Sequence, residues 1–152
     1  MTDDDLAGQA RQIIDTNRYL TLATADESGR PWASPVWFAH DAYAEYLWVS
    51  RPEARHSRNV AGRPQVGFVV FDSTVPANQG RAVYVEATAG MVPDDEVESA
   101  VATFSRHSQQ HGAGLWGPVD VTGSAHLRLY RARAGAHYIL GGDDRRTEVR
   151  PA

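Results

Sequence analysis

Apolar positions along this 152-residue chain recur with two different periods, and the switches between them mark out its elements. Leu6, Ala10, Ile13 and Ile14 fall on one stripe at helical spacing, which predicts a first helix ending near Asn17. Thr2 with Asp5 three residues later is a capping box at its start, and acids fill its first turn. The period then becomes two. Residues 19–25 (YLTLATA) predict a strand with Leu20 and Leu22 on one face, and the turn Asp26-Glu27-Ser28-Gly29 leads to a second strand over 31–38 (PWASPVWF). Pro35 cannot donate to a ladder, so this strand belongs at an edge or a bulge. Residues 40–45 read as a turn into a third strand over 46–49, followed by a short helix over 52–60 with Ser50 as its N-cap and Glu53 completing a capping box.

Residues 65–71 (QVGFVVF) are almost wholly apolar, as in a strand buried on both faces, and residues 81–91 alternate over a longer run. A second long helix starts at Pro93, turns Val97, Ala100, Val101 and Phe104 inward, and stops at Gly112-Ala113-Gly114. Residues 115–122 read as loop, 126–131 and 137–140 as two last short strands, and 143–152 as a polar, flexible tail. Short turns between consecutive strands imply antiparallel pairing. Six or seven strands with few helices predict a mostly β fold, a closed or partly closed barrel with flanking helices, in one domain over 1–142.

Composition narrows the function. The formal net charge is −4, which argues against nucleic acid or an acidic membrane as partner. There is no cysteine, which excludes disulfides, thiolate metal sites and cysteine nucleophiles. No apolar run is long enough to span a bilayer, and the acidic start lacks a signal-peptide core, so a cytoplasmic protein is expected.

Against that acidic background, residues 50–59 (SRPEARHSRN) stand out. Arg51, Arg55, His56 and Arg58 crowd a strand-to-helix junction, where free N–H groups and clustered guanidinium groups form a seat for a phosphate beside Ser50. A solvated surface helix would carry the same charges. In the second strand, Trp32, Ser34, Val36 and Phe38 share one face and Ala33, Pro35 and Trp37 the other, which offers a flat ring an apolar wall and unpaired backbone. His107 and His111 are one helical turn apart, but no third ligand follows at metal-site spacing, and packing histidines are expected there. G-x-S-x-G, G-x-G-x-x-G after a strand, and Walker A sequences are absent.

Taken together, YLTLATADESGRPWASPVWF, YLWVSRPEARHSRNVAGRPQVGFVVFD, RAVYVEATAGMV and HLRLYRARAGAHYIL resemble, in order and spacing, the pyridoxamine-phosphate-oxidase-like family of FMN-binding split barrels. The resemblance implies a six- to seven-stranded, largely antiparallel split β-barrel that dimerises with two flavins at the subunit interface. It implies FMN, or a deazaflavin or haem as in some relatives, and redox work on a small molecule with NAD(P)H as a possible donor. It places the FMN phosphate on Ser50, Arg55 and His56, with Arg51 and Arg58 assisting. Ser34, Pro35, Val36 and Trp37 fall on the strand whose backbone meets the flavin ring. Trp116 matches an aromatic residue that reaches over from the partner subunit. Family oxidases of the B6 phosphates carry lysine where His56 stands, and their C-terminal substrate signature is replaced by Arg128-Leu129-Tyr130-Arg131, so that reaction is not expected.

Overall fold

The computed structural model describes all 152 residues. Helix α1 (Asp3–Thr16) is closed at its start by Thr2 and Asp5, each side chain bonded to the other's backbone N–H. The strands β1 (Tyr19–Ala25), β2 (Pro31–Trp37), β3 (Ala39–Asp41) and β4 (Glu45–Ser50) follow. Helix α2 (Arg55–Gly62) leads into β5 (Gln65–Phe71) and β6 (Ala82–Met91). A single 3-10 turn precedes α3 (Val97–Gln110), and β7 (Arg128–Leu140) and β8 (Arg146–Val149) complete the chain. No helix is long and apolar enough to cross a membrane.

All strand pairs are antiparallel, in the order β2-β1-β5-β6-β7-β4-β3, with β8 on the remaining stretch of β7. The sheet curls until β2 approaches β4, which makes a partly closed barrel. Inward-facing residues of every long strand fill it, among them Leu20, Leu22, Tyr46, Trp48, Phe68, Val70, Val83 and Ile139, and α1 covers one end with Ala10 and Ile14. A smaller cluster of Leu47, Val97, Val101, Phe104 and Leu129 seats α3 on the outside of β3 and β4. The apolar stripes of α1 and α3 thus each have a partner to bury against.

The strands number eight, two more than the lower expectation. β3 was hidden in the expected 40–45 turn. It is three residues long, and its hairpin turns through Ala42 and Tyr43, both at positive φ, without glycine or asparagine to signal it. Left-handed backbone strains such residues. Compensation comes from Tyr43, which stacks on His40 with centroids 4.3 Å apart and donates its hydroxyl proton to Asp15. The two expected C-terminal strands are one 13-residue strand, β7. Its pairing with β6 shifts by one residue at Glu86/Ala87, so that Gly135 is the extra residue of a bulge. A β-carbon on Gly135 would meet the Glu86 carbonyl at 3.4 Å, an ordinary contact, so space at the bulge does not demand glycine. The expected tail is also structured: β8 pairs with β7, Val149 is buried, and Arg11 donates to the Pro151 carbonyl at 3.2 Å. Strand β5 buries Val66, Phe68 and Val70, while the alternate residues face outward and are partly or fully open. The two-sided burial read from its sequence is therefore not met in this chain.

Candidate functional site

The segment expected to seat a phosphate is built differently from the capped helix that its sequence suggests. Ser50 is the last residue of β4, and α2 begins five residues later after Ala54, with no side-chain cap. Residues 51–54 form a turn closed by the Ala54 N–H on the Arg51 carbonyl at 3.1 Å, with Pro52 at its second position. Proline's fixed φ suits that place. Ser50 Oγ is consequently free of capping duty and meets His56 Nε2 at 2.8 Å, with Ser57 Oγ 3.5 Å away.

Of the four cationic residues, the fold gathers two. His56 is half-buried, and burial lowers its pKa below the ordinary histidine value, so the ring is mostly neutral at pH 7. The Arg55 guanidinium lies over the Trp32 ring of β2, 4.2 Å from its centroid. Arg51 and Arg58 are exposed and make no side-chain hydrogen bond or ion pair. None of the three arginines is in an ion pair; every ion pair of the molecule uses other residues. Beneath the seat, the buried Asn59 amide donates to Thr24 Oγ1 at 3.1 Å and ties α2 to β1. Thr24 in turn reaches the Trp32 carbonyl at 3.5 Å. This second layer fixes α2 against the very strand that carries Trp32.

Strand β2 is a free edge of the sheet, as its prolines imply. The Phe38 N–H bonds the Arg18 carbonyl, so even-numbered residues of β2 turn their backbone groups to β1. Ala33, Pro35 and Trp37 then present theirs outward, and of these only Ala33 and Trp37 have an N–H. Ser34 is half-buried, Pro35 exposed, and Val36 buried in the barrel. The backbone donors available along this edge are thus those of Ala33 and Trp37, and Ala33 was missing from the sequence-derived set. So was Trp32, although its sharing a face with Ser34 was visible in the alternation.

Trp37 turns to the opposite face of β2 from Trp32 and Val36. It packs edge-on against Phe104 (5.5 Å) and His107 (5.7 Å) of α3. Trp116 packs on the same Phe104 at 5.6 Å, and its backbone N–H donates to Ser105 Oγ at 2.9 Å. Trp37, Phe104 and Trp116 with Val49, Ser108 and Leu127 line a hollow of about 290 Å³. Trp116 therefore stands among residues of its own chain. From Trp32 to Trp37 the strand advances about 17 Å at ~3.4 Å per residue, so β2 links a cationic end to an aromatic end. His107 has its pKa pushed down to about 4, first by burial and then by His111 and His40 beside it, which leaves a neutral ring at pH 7.

This geometry can hold a phosphate at one end of a free edge strand and a flat ring along it. A model of the pyridoxamine 5'-phosphate oxidase family matches residues 6–138. The chain belongs to that family. Among curated members it is 29% identical over 93 residues to heme oxygenase HutZ of Vibrio cholerae (59% of this chain, 52% of HutZ). It is 30% identical over 97 residues to the pyridoxine/pyridoxamine 5'-phosphate oxidase of Rubrobacter xylanophilus (64% of this chain, 42% of that protein). The chain thus spans about half the length of these relatives, or less. The crystal structure of HutZ, described as the heme storage protein of Vibrio cholerae, superposes with TM-score 0.68 and 24% identity, over 84% of this chain and 89% of that one. An F420 reductase superposes with TM-score 0.61 and 21% identity, over 84% and 94%. The fold is the family's split barrel, a curled and largely antiparallel sheet with flanking helices.

Proposed function

We propose that this chain is an FMN-dependent oxidoreductase that acts on a small molecule as a homodimer. The observation that carries the reading is the convergence of Ser50, His56 and the unpaired Arg55 beside the free edge of β2. A hydroxyl, an imidazole and a fork of N–H donors suit a phosphate monoester, which accepts several charge-assisted hydrogen bonds. Along β2, the outward N–H groups of Ala33 and Trp37 are placed to meet the polar edge of a flavin ring, and Arg51 and Arg58 add a long-range positive field. Bound there, FMN would supply the hydride and electron chemistry, as cofactors do. The protein's share is to bind the phosphate, orient the ring and keep one face open for a substrate. No side chain of the seat is placed as a general acid or base, in keeping with simple flavin reduction by NAD(P)H. The outward residues Thr21, Ala23, Gly67, Val69 and Tyr84 make an open, largely apolar face on β1, β5 and β6, which supports pairing with a second copy.

The purified protein is expected to be yellow and dimeric, with one FMN per chain seen by native mass spectrometry. Arg55→Ala should weaken FMN binding by about 1.5–3 kcal/mol, the range for a hydrogen bond to a charged group. Unchanged affinity would remove the phosphate assignment. The likeness to HutZ favours one other reading, a haem binder without flavin turnover. A Soret band on haem titration, with no flavin bleaching on anaerobic mixing with NADH or NADPH, would establish it in place of the first. A deazaflavin is the third cofactor to compete, given the F420 reductase fold match. The absence of any lysine, with arginine and histidine in the seat, favours FMN.

A further inference from the structure

Trp32 has no role in the barrel. It stands at the exposed start of a free edge strand, 42% open to solvent, and one face of its ring holds a partner. What it holds is Arg55, whose guanidinium carbon sits 4.2 Å from the ring centroid. Attraction between a guanidinium and the ring face beneath it spends no N–H hydrogen bond, so the donors of Arg55 stay available. No carboxylate competes for them, since Arg55 is in no ion pair. Arg55 opens the first turn of α2, one residue before the imidazole that meets Ser50. A free arginine there would sample many rotamers, and ordering them would weigh against binding. The hydrogen bonds from Asn59 to Thr24 and from Thr24 to the Trp32 carbonyl fix the distance between the two backbones that carry the stack.

We infer that Trp32 is a positioning residue: it holds the Arg55 fork ready for a phosphate and so sets the preference of this site for a phosphorylated flavin over the bare one. This rests on the flavin reading above and adds to it the group that makes the phosphate decisive. Since a stack of this kind is partly exposed, its loss corresponds to about a two- to fivefold effect.

The test compares FMN with riboflavin, which lacks the phosphate, by fluorescence titration of the wild-type dimer, Trp32→Ala, Trp32→Tyr, Arg55→Ala and the double variant Trp32→Ala/Arg55→Ala. The expected result is that Trp32→Ala lowers the FMN-to-riboflavin affinity ratio about two- to fivefold and that Trp32→Tyr, which retains a stacking face, restores it. The double variant should match Arg55→Ala, because without the arginine there is nothing to position. Trp32 is exposed, so folding should be unaffected, and the riboflavin affinity of each variant serves as the internal check. A ratio unchanged in Trp32→Ala but lowered in Arg55→Ala overturns the positioning role and leaves the phosphate seat standing. A ratio unchanged in Arg55→Ala, or a wild type that binds neither flavin, overturns both.

Discussion

His137 is a histidine buried inside the barrel, and replacing it by glutamine should abolish most of the acid sensitivity that this site confers. Its Nε2 is 2.8 Å from the hydroxyl of the fully buried Tyr46. Burial raises the tyrosine's pKa, so the phenol keeps its proton and donates, and the imidazole must accept. Protonating His137 would place a charge in the core and two donors face to face. Burial, and then His40 nearby, accordingly push its pKa down to about 4 from 6.5. The unfolded chain therefore binds the proton at higher pH than the folded one. Stability from this group is complete above about pH 6.5 and is lost as pH falls through 6.5 towards 4. Linkage over that window gives about 2.5 kcal/mol lost between pH 7.5 and pH 4.5 from this site alone. Glutamine can accept from Tyr46 without titrating. Urea unfolding followed by tryptophan fluorescence, at one protein concentration and at both pH values, should show the wild type losing about 2.5 kcal/mol more than His137→Gln. Parallel losses in the two proteins would refute the buried neutral acceptor, because other histidines such as His107 contribute equally to both.

The remaining predictions concern the cofactor seat and the C-terminus. Arg55→Ala should weaken FMN binding by about 1.5–3 kcal/mol and Trp32→Ala should erode phosphate selectivity, as set out above. Because burial keeps His56 neutral in the free protein, a bound phosphate dianion should draw a proton onto it, so FMN affinity should rise as pH falls from about 8 to 6. Calorimetry in buffers of different ionisation enthalpy should record proton uptake on binding, and His56→Lys should abolish most of it. Deleting residues 146–152 should destabilise the barrel by about 2–4 kcal/mol in urea unfolding, from the lost burial of Val149 and the lost Arg11 hydrogen bond.

Elements with many repeats of their period were legible in the sequence. The first helix and its capping box stand where Thr2, Asp5 and the Ile13/Ile14 stripe place them, and β1 spans residues 19–25 as read. Pro35 marked β2 as an edge correctly, because a missing N–H is a property of the residue and needs no context. What failed were features decided by distant partners. Ser50 and Glu53 have the spacing of a capping box, but Ser50 is retained by its pairing with Arg128 in β7, and the helix starts only after the Pro52 turn. The two short strands expected at 126–131 and 137–140 are one strand bent at a bulge, since whether a strand ends or bends there depends on the strand opposite. The tail looked polar because one face of β8 is solvated, while Val149, a single buried residue, ties it down. In the seat, Arg51, Arg55, His56 and Arg58 look equivalent in sequence. Helical phase and the Pro52 turn separate them, leaving Arg51 and Arg58 exposed.

The two prolines of β2 bear on how this protein behaves in a crowded solution. An open sheet edge invites strands of other molecules to add to it, and that is the first step towards fibres. The flavin site proposed along β2 needs that edge open, so covering the edge would remove the site. Pro31 and Pro35 lie at outward-facing positions of β2, so that edge offers its amide protons only at Ala33 and Trp37. A growing sheet needs a donor at every second residue, whereas a small ligand needs only one or two. The edge is thus open to a ligand and closed to polymerisation, and Pro31→Ala/Pro35→Ala would trade colloidal stability for nothing the site requires.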